Sequence, residues 1–132
     1  MDIKFRGISV ASGKIIYGYY VFSEFGADGP SHVLIGFDGF GHRVIKKETL
    51  GQFTGLTDPS GVEVYAGDRI KYPGCKSIAT VVFKDGCFIA HHDFIKRDPE
   101  LLRRAVGTEE TEGHAVVIGN IHQHSHLLDK GE

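Results

Sequence analysis

Long apolar runs, charge of one sign and cysteine are what this sequence has least of. No apolar run approaches the roughly 20 residues that a membrane-spanning helix requires. The opening MDIKFRG lacks the sections of a secretory leader. A membrane role is therefore not expected, and the cytoplasm is the expected compartment. Lys and Arg number 15 against 17 Asp and Glu, a formal net charge of −2, without the basic excess that usually marks a nucleic-acid surface. The two cysteines, Cys75 and Cys87, fit the spacing of neither a zinc site nor a secreted disulfide framework. They read as small buried hydrophobes in a reducing compartment.

Glycine is plentiful. Eighteen glycines among 132 residues are too many for a helical bundle and suit short strands joined by tight turns. The length fits one domain with a real core. A hydrophobic content of 41% with 24% charged residues is ordinary for a soluble globular chain.

The organising stretch is 48–71, ETLGQFTGLTDPSGVEVYAGDRIK. Asp58-Pro59-Ser60-Gly61 reads as a turn: Asp bonds back to turn amides, Pro presets φ, and Gly supplies a left-handed residue. Residues 51–56 and 62–65 are then antiparallel neighbours. Gly67-Asp68 makes a second reversal, after which Arg69-Ile70-Lys71-Tyr72 alternates with Ile70 and Tyr72 inward. Before this stretch, strands are expected at 3–6, 15–22, 32–37 and 42–45, with polar or glycine-rich loops between them. GFDGFG at 36–41 is read as a hairpin reversal and not as a phosphate loop, because no helix pattern follows it.

After it, Asp85-Gly86 is the strongest short-range hairpin signal in the chain. A two-residue loop there pairs Phe83 with Phe88, Val82 with Ile89, Val81 with Ala90 and Thr80 with His91. Both faces are then largely apolar, which argues for a hairpin covered on two sides in a closed barrel. A short helix is expected near 98–106, with Asp98 as N-cap, Pro99 at the first position, an apolar stripe of Leu101, Leu102, Ala105 and Val106, and Gly107 as its end. Residues 114–121 read as a last strand and 122–132 as a polar tail.

Candidate chemistry is sparse. Asp58, Glu63 and Asp68 are better explained by turns and outward alternation than by acid–base work. His122, His124 and His126 would share one face of an extended strand, and three imidazoles with an open position suit zinc. The polar QHSH run ends the strand near Ile121, however, so no dedicated metal site is expected. His91-His92-Asp93 is weaker still, since neighbours on a strand point to opposite faces. No cofactor is expected. Neither cysteine stands at a helix start that would activate it.

Four colinear blocks carry a resemblance: IKFRG with GKIIYGYY, ETLGQFTGLTDPSGVEVYAGDRIKY, TVVFKDGCF and VVIGNIHQHSHLL. Together they resemble the YopX-like family of small phage and prophage proteins, with departures at Gly7, Ala66 and His122 and no match over 93–113. The resemblance implies mostly β structure with a strongly bent, SH3-like small barrel, and no established activity. The expected architecture is therefore one mainly β domain, 1–132. A β unit of 1–47 packs on a small barrel of 48–121 with one short helix, and a tail follows.

Two function classes follow. The first is a non-enzymatic protein-interaction or self-association module, oligomeric or partnered, with Tyr17, Tyr19 and Tyr20 as exposed candidates. The second is a nucleic-acid-binding barrel using a local strip of Arg69, Lys71, Lys76 and Lys84. A histidine-dependent metal enzyme is a distant third. An exposed apolar patch favours the first class and a contiguous positive groove the second.

Overall fold

The computed structural model describes residues 2–24, 29–39, 41–74, 78–92, 100–108 and 113–122. It divides into two compact units, Met1–Phe53 and Thr54–Glu132. The division falls inside a strand, six residues after the break drawn at 47 from the sequence.

In the first unit, β1 (Phe5–Ile8), β2 (Ile15–Ser23), β3 (Ser31–Ile35), β4 (His42–Val44) and the opening of β5 (Gly51–Thr57) form an antiparallel sheet in the order β4-β3-β2-β1-β5. Registers run Phe5 to Gly18, Tyr19 to Ile35 and Val33 to Val44. The first strand lies two residues later than the alternation of 3–6 indicates. Ile3 is exposed and Arg6 buried, because β1 is paired on both edges and its placement follows its neighbours rather than its own pattern. Gly18 has a steric reason to be glycine: a Cβ there would sit 2.2 Å from the Ile35 carbonyl oxygen. The GFDGFG reversal forms as expected, with the Gly36 N–H donating to Gly41 O at 3.1 Å and Gly39 N–H to Gly36 O at 2.9 Å. One 3-10 turn, Lys47–Thr49, is tied to β1 by the Ile8 N–H donating to Thr49 Oγ1 at 2.8 Å.

In the second unit, β5 continues beside β6 (Glu63–Tyr65). The strands β7 (Asp68–Lys71), β8 (Ile78–Lys84), β9 (Cys87–His92), β10 (Glu100–Leu101) and β11 (Val116–Asn120) form an antiparallel sheet ordered β10-β9-β8-β7-β11. A short α1 (Leu102–Val106) supplies Leu102, Ala105 and Val106 to a core with Val64, Ile70, Ala79, Val81, Ala90 and Ala115. Burial of a Val or Leu side chain of this kind stabilises by about 1.5–3 kcal/mol.

The mainly β reading with one short helix holds, but the sheet does not close into a barrel. Its two edges are β10, which is two residues long and runs straight into α1, and β11. On β11 the Val117 N–H is taken by the Asp58 carboxylate, which leaves that amide unavailable to a closing strand. The helix begins at Leu102, not near 98: residues 100–101 pair with Ala90 and Ile89 of β9 and are held extended. Asp98 and Pro99 lie outside the described residues. Gly107, at φ 89°, ends the helix as expected.

The central turns form with the expected chemistry. Gly61 N–H donates to Asp58 O, while Asp58 Oδ1 accepts from Ser60 N–H and Val62 N–H, all at 2.9 Å. Gly61 and Gly67 both have positive φ. The Tyr65 N–H donates to Asp68 Oδ2 at 2.8 Å across the second reversal. The β8–β9 register is the one read from Asp85-Gly86, pair for pair, and both turn residues have φ > 0, as a type I′ turn requires. Its two-sided covering is confined to the base, Ile78–Val81 in β8 being buried, because Phe83 near the tip is 60% exposed.

Candidate functional site

Strand pairing places the side chains of the first unit in rows. Residues opposite one another on an antiparallel ladder share a face, and so do positions two apart along a strand. Tyr19, Ile35 and His42 therefore form one row, and Val21, Val33 and Val44 the next. Tyr17 stands on the same face of β2, beyond Tyr19. Tyr17 is 46% exposed, Tyr19 49% and Phe37 48%, with Val21 and Val44 also exposed and Val33 and Ile35 half-buried. The Phe37 ring meets Tyr19 edge-on, with centroids 5.1 Å apart and planes at 77°. Lys4 Nζ lies 6.0 Å from the Phe37 centroid and 4.7 Å from that of Phe53, within range of cation–π attraction. Three half-exposed rings offer on the order of 300 Å² of aromatic surface before the valines are added. That is the size of the largest apolar patch on an ordinary monomer, which is often a functional one.

Tyr20 points the other way. Its ring packs at 5.6 Å from Phe5 and stacks on His32, and its hydroxyl bonds with His32 Nδ1. Tyr17 and Tyr19 thus belong to the exposed face, and Tyr20 packs within its unit. The valines, Phe37 and Lys4 escaped the sequence reading. The signal lay in IIYGYYVF, where both alternating sets are apolar and neither announces itself as the outer one.

Near the β3–β4 reversal the unit holds an open cleft of about 460 Å³, in which Leu34 and Arg43 belong to the row of Tyr20 and so to the opposite face of the ladder from Tyr19. Ile16, Tyr17, Leu34 and Phe37 give it apolar walls, the backbone at Gly36 and Gly41 closes one side, and Asp38 and Arg43 bring opposite charges to its lining.

The other candidates do not assemble. Arg69 is 0% exposed and donates from Nη1 to Thr80 Oγ1 at 3.0 Å, so it is not part of a surface strip. Its alternation suggested an outward position, but β7 is flanked by β8 and β11 and covered on both faces. Lys71 is half-buried, Lys84 is exposed near the β8–β9 turn, and Lys76 lies outside the described residues. Asp58 and Asp68 are buried and bonded to backbone amides, and Glu63 accepts from the Tyr65 hydroxyl at 3.4 Å. His122 lies in a turn, its N–H donating to Asn120 Oδ1, while His124 and His126 lie outside the described residues. Among the described residues no group of three His, Cys, Asp or Glu is placed to hold a metal. Cys87 is half-buried, not buried, and Cys75 lies outside the described residues.

The family described as YopX protein matches residues 4–129, nearly the whole chain. The chain belongs to the YopX family. This YopX family member is also similar to a solved structure described as protein EF1440 from Enterococcus faecalis. The two share 19% identity with a TM-score of 0.54, over 97% of this chain and 99% of that one, which is a likeness of fold. No curated protein matches the chain. Among the described residues no helix is long and apolar enough to cross a membrane.

Proposed function

We propose that this YopX family member is a non-enzymatic interaction module that works in the cytoplasm, in phage or prophage biology, through the exposed aromatic face of its first unit. The carrying observation is the apolar patch of Tyr17, Tyr19, Val21, Phe37 and Val44 on one sheet face. Exposed aromatic surface with few charges at its centre is what a protein partner, or a second copy of the chain, covers on binding. The strip that would favour nucleic acid loses Arg69 to the interior, and the net charge of −2 gives no long-range attraction. Light scattering over a concentration series, beside gel shifts with single-stranded and duplex DNA at low and near-physiological salt, tests the reading. The expected result is concentration-dependent association that a Tyr17→Glu/Tyr19→Glu variant loses at unchanged melting temperature, with no DNA shift. A strictly monomeric protein that binds DNA in a salt-sensitive way overturns it.

A further inference from the structure

The exposed face of the first unit is wider than the β2–β3–β4 ladder alone makes it. Ser9 bridges Ile45 in antiparallel fashion, with the Val10 N–H donating to Val44 O at 3.0 Å and the Lys46 N–H to Ile8 O at 2.9 Å. Val10 therefore stands opposite Val44 and on the same face, where it is 57% exposed. Val10, Val44, Val33 and Val21 form one continuous row. The next row holds Ile35 and Tyr19, and the Tyr17 and Phe37 rings stand beside and beyond it.

We propose that a second copy of the chain covers this face in a two-fold dimer, the ring half of one copy lying on the valine half of the other; this rests on the reading of the face as an interaction surface. Three observations select a second copy over a different protein.

The first is shape. Tyrosine and phenylalanine side chains reach further from a sheet than valine, so the face is stepped, with rings on its high half and valines on its low half. A two-fold axis normal to the sheet, between the two halves, turns the step onto itself and sets high against low. That is the self-complementarity an isologous interface requires.

The second is charge. No exposed residue of these rows is Asp, Glu, Lys or Arg. Arg6, opposite Tyr17 on β1, is buried, and Lys4 at the rim is taken up by the Phe37 and Phe53 rings. A partner selected by opposite charge finds nothing to pair with here. A second copy needs no such pairing.

The third is area. Three half-exposed rings and three half-exposed valines, Val10, Val21 and Val44, come to roughly 450 Å² of apolar side chain on each copy. Two copies face to face cover roughly twice that, before the half-buried Val33 and Ile35 are added. The total reaches the about 1,000 Å² that a specific contact has to clear. It lies at the low end of that class, so the dimer is a reversible one.

The test uses the full chain and two double variants at exposed positions. Tyr17→Glu/Tyr19→Glu makes the high half acidic, and Val21→Lys/Val44→Lys makes the low half basic. Sedimentation equilibrium from about 10 μM to about 1 mM is expected to find the parent as a monomer–dimer equilibrium, with each variant alone associating at least about tenfold more weakly. An equimolar mixture of the two variants is expected to recover the dimer, at least about tenfold tighter than either variant alone. In the mixed dimer the acidic half of one copy meets the basic half of the other, and the two remaining halves are native. A mixture that stays monomeric, or variants that dimerise as well as the parent, overturns the proposal. If either variant melts below the parent, the parent decides alone: on dilution of the 15N-labelled chain from about 1 mM, the amide resonances of Tyr19, Val21, Val33 and Val44 are expected to move together, and resonances that stay fixed overturn it. A parent that is monomeric throughout removes the second copy as occupant and leaves the face to a different protein, a reading that falls with the salt-sensitive DNA binding tested above.

Discussion

Replacing Asp58 tests a side chain that ties its own turn to the last strand of the second unit. Asp58 is 4% exposed, and its carboxylate accepts three backbone N–H groups. Two lie inside its own turn, from Ser60 and Val62, and the third, from Val117, reaches across 59 residues of sequence, all at 2.9 Å. A hydrogen bond to a charged group contributes about 1.5–3 kcal/mol net when buried. The Ser60 and Val62 residues are exposed, so water recovers much of what their amides lose. The half-buried Val117 amide recovers less. Asp58→Ala should therefore cost about 3 kcal/mol, at about 4–8 °C of melting temperature per kcal/mol for a unit of this size. Asp58→Asn is the sharper variant. The carboxamide keeps one acceptor for the turn and sets its NH2 against the Val117 N–H, donor facing donor, at a cost of about 1–2 kcal/mol. Thermal denaturation reads the total, and hydrogen exchange at the Val117 amide reads the local bond, which should lose protection in both variants. A melting temperature and a Val117 exchange rate that both match the parent in Asp58→Asn would refute this account of the turn.

Two other predictions follow from backbone and burial. Gly55 and Gly67 sit at φ 85° and 95°, so valine at either should cost about 2 kcal/mol or more, since a β-branched residue is a genuine outlier there; calorimetry on each single variant checks this. Thr80→Val removes one acceptor of a fully buried guanidinium and should cost about 1–3 kcal/mol, whereas Arg69→Met, which removes charge and keeps volume, should cost less. If chemical denaturation orders these two the other way, the Arg69–Thr80 bond is not what holds that side chain.

Local chemistry made much of the fold legible. Asp58-Pro59-Ser60-Gly61 and Asp85-Gly86 each state their turn in the residues that form it, and a two-residue loop fixes a register with no outside help. What the sequence concealed was decided by neighbours. Arg69 alternates as an outward residue, yet β7 lies between two strands with both faces covered, so its charge is buried. Glu100 and Leu101 look like the opening of a helix, but an adjacent sheet edge holds them extended. Barrel closure was inferred from an apolar hairpin whose tip is open at Phe83. The exposed face of the first unit was half legible: Tyr17 and Tyr19 were singled out, but which side of an all-apolar strand faces outward depends on what covers the other side. Arg43 and the cleft gave no local signal, because they come together only through the pairing of β3 with β4.

The bond between Asp58 and Val117 also has a kinetic meaning. The β8–β9 hairpin closes through a two-residue turn, an event of roughly 1–10 μs. Pairing of β11 with β7 must instead bring Val116 back to Lys71 and pay the closure entropy of the whole intervening chain before any contact repays it. We infer that β11 docks late and that the Asp58 carboxylate acts as a latch set after the folding barrier is crossed. Stopped-flow measurements on Asp58→Asn would then find refolding at the parent's rate and unfolding accelerated by about the full stability loss. Slowed refolding would instead place the latch inside the nucleus. With a late latch, Asp58 governs how long the native second unit lasts and has little influence on how fast it forms.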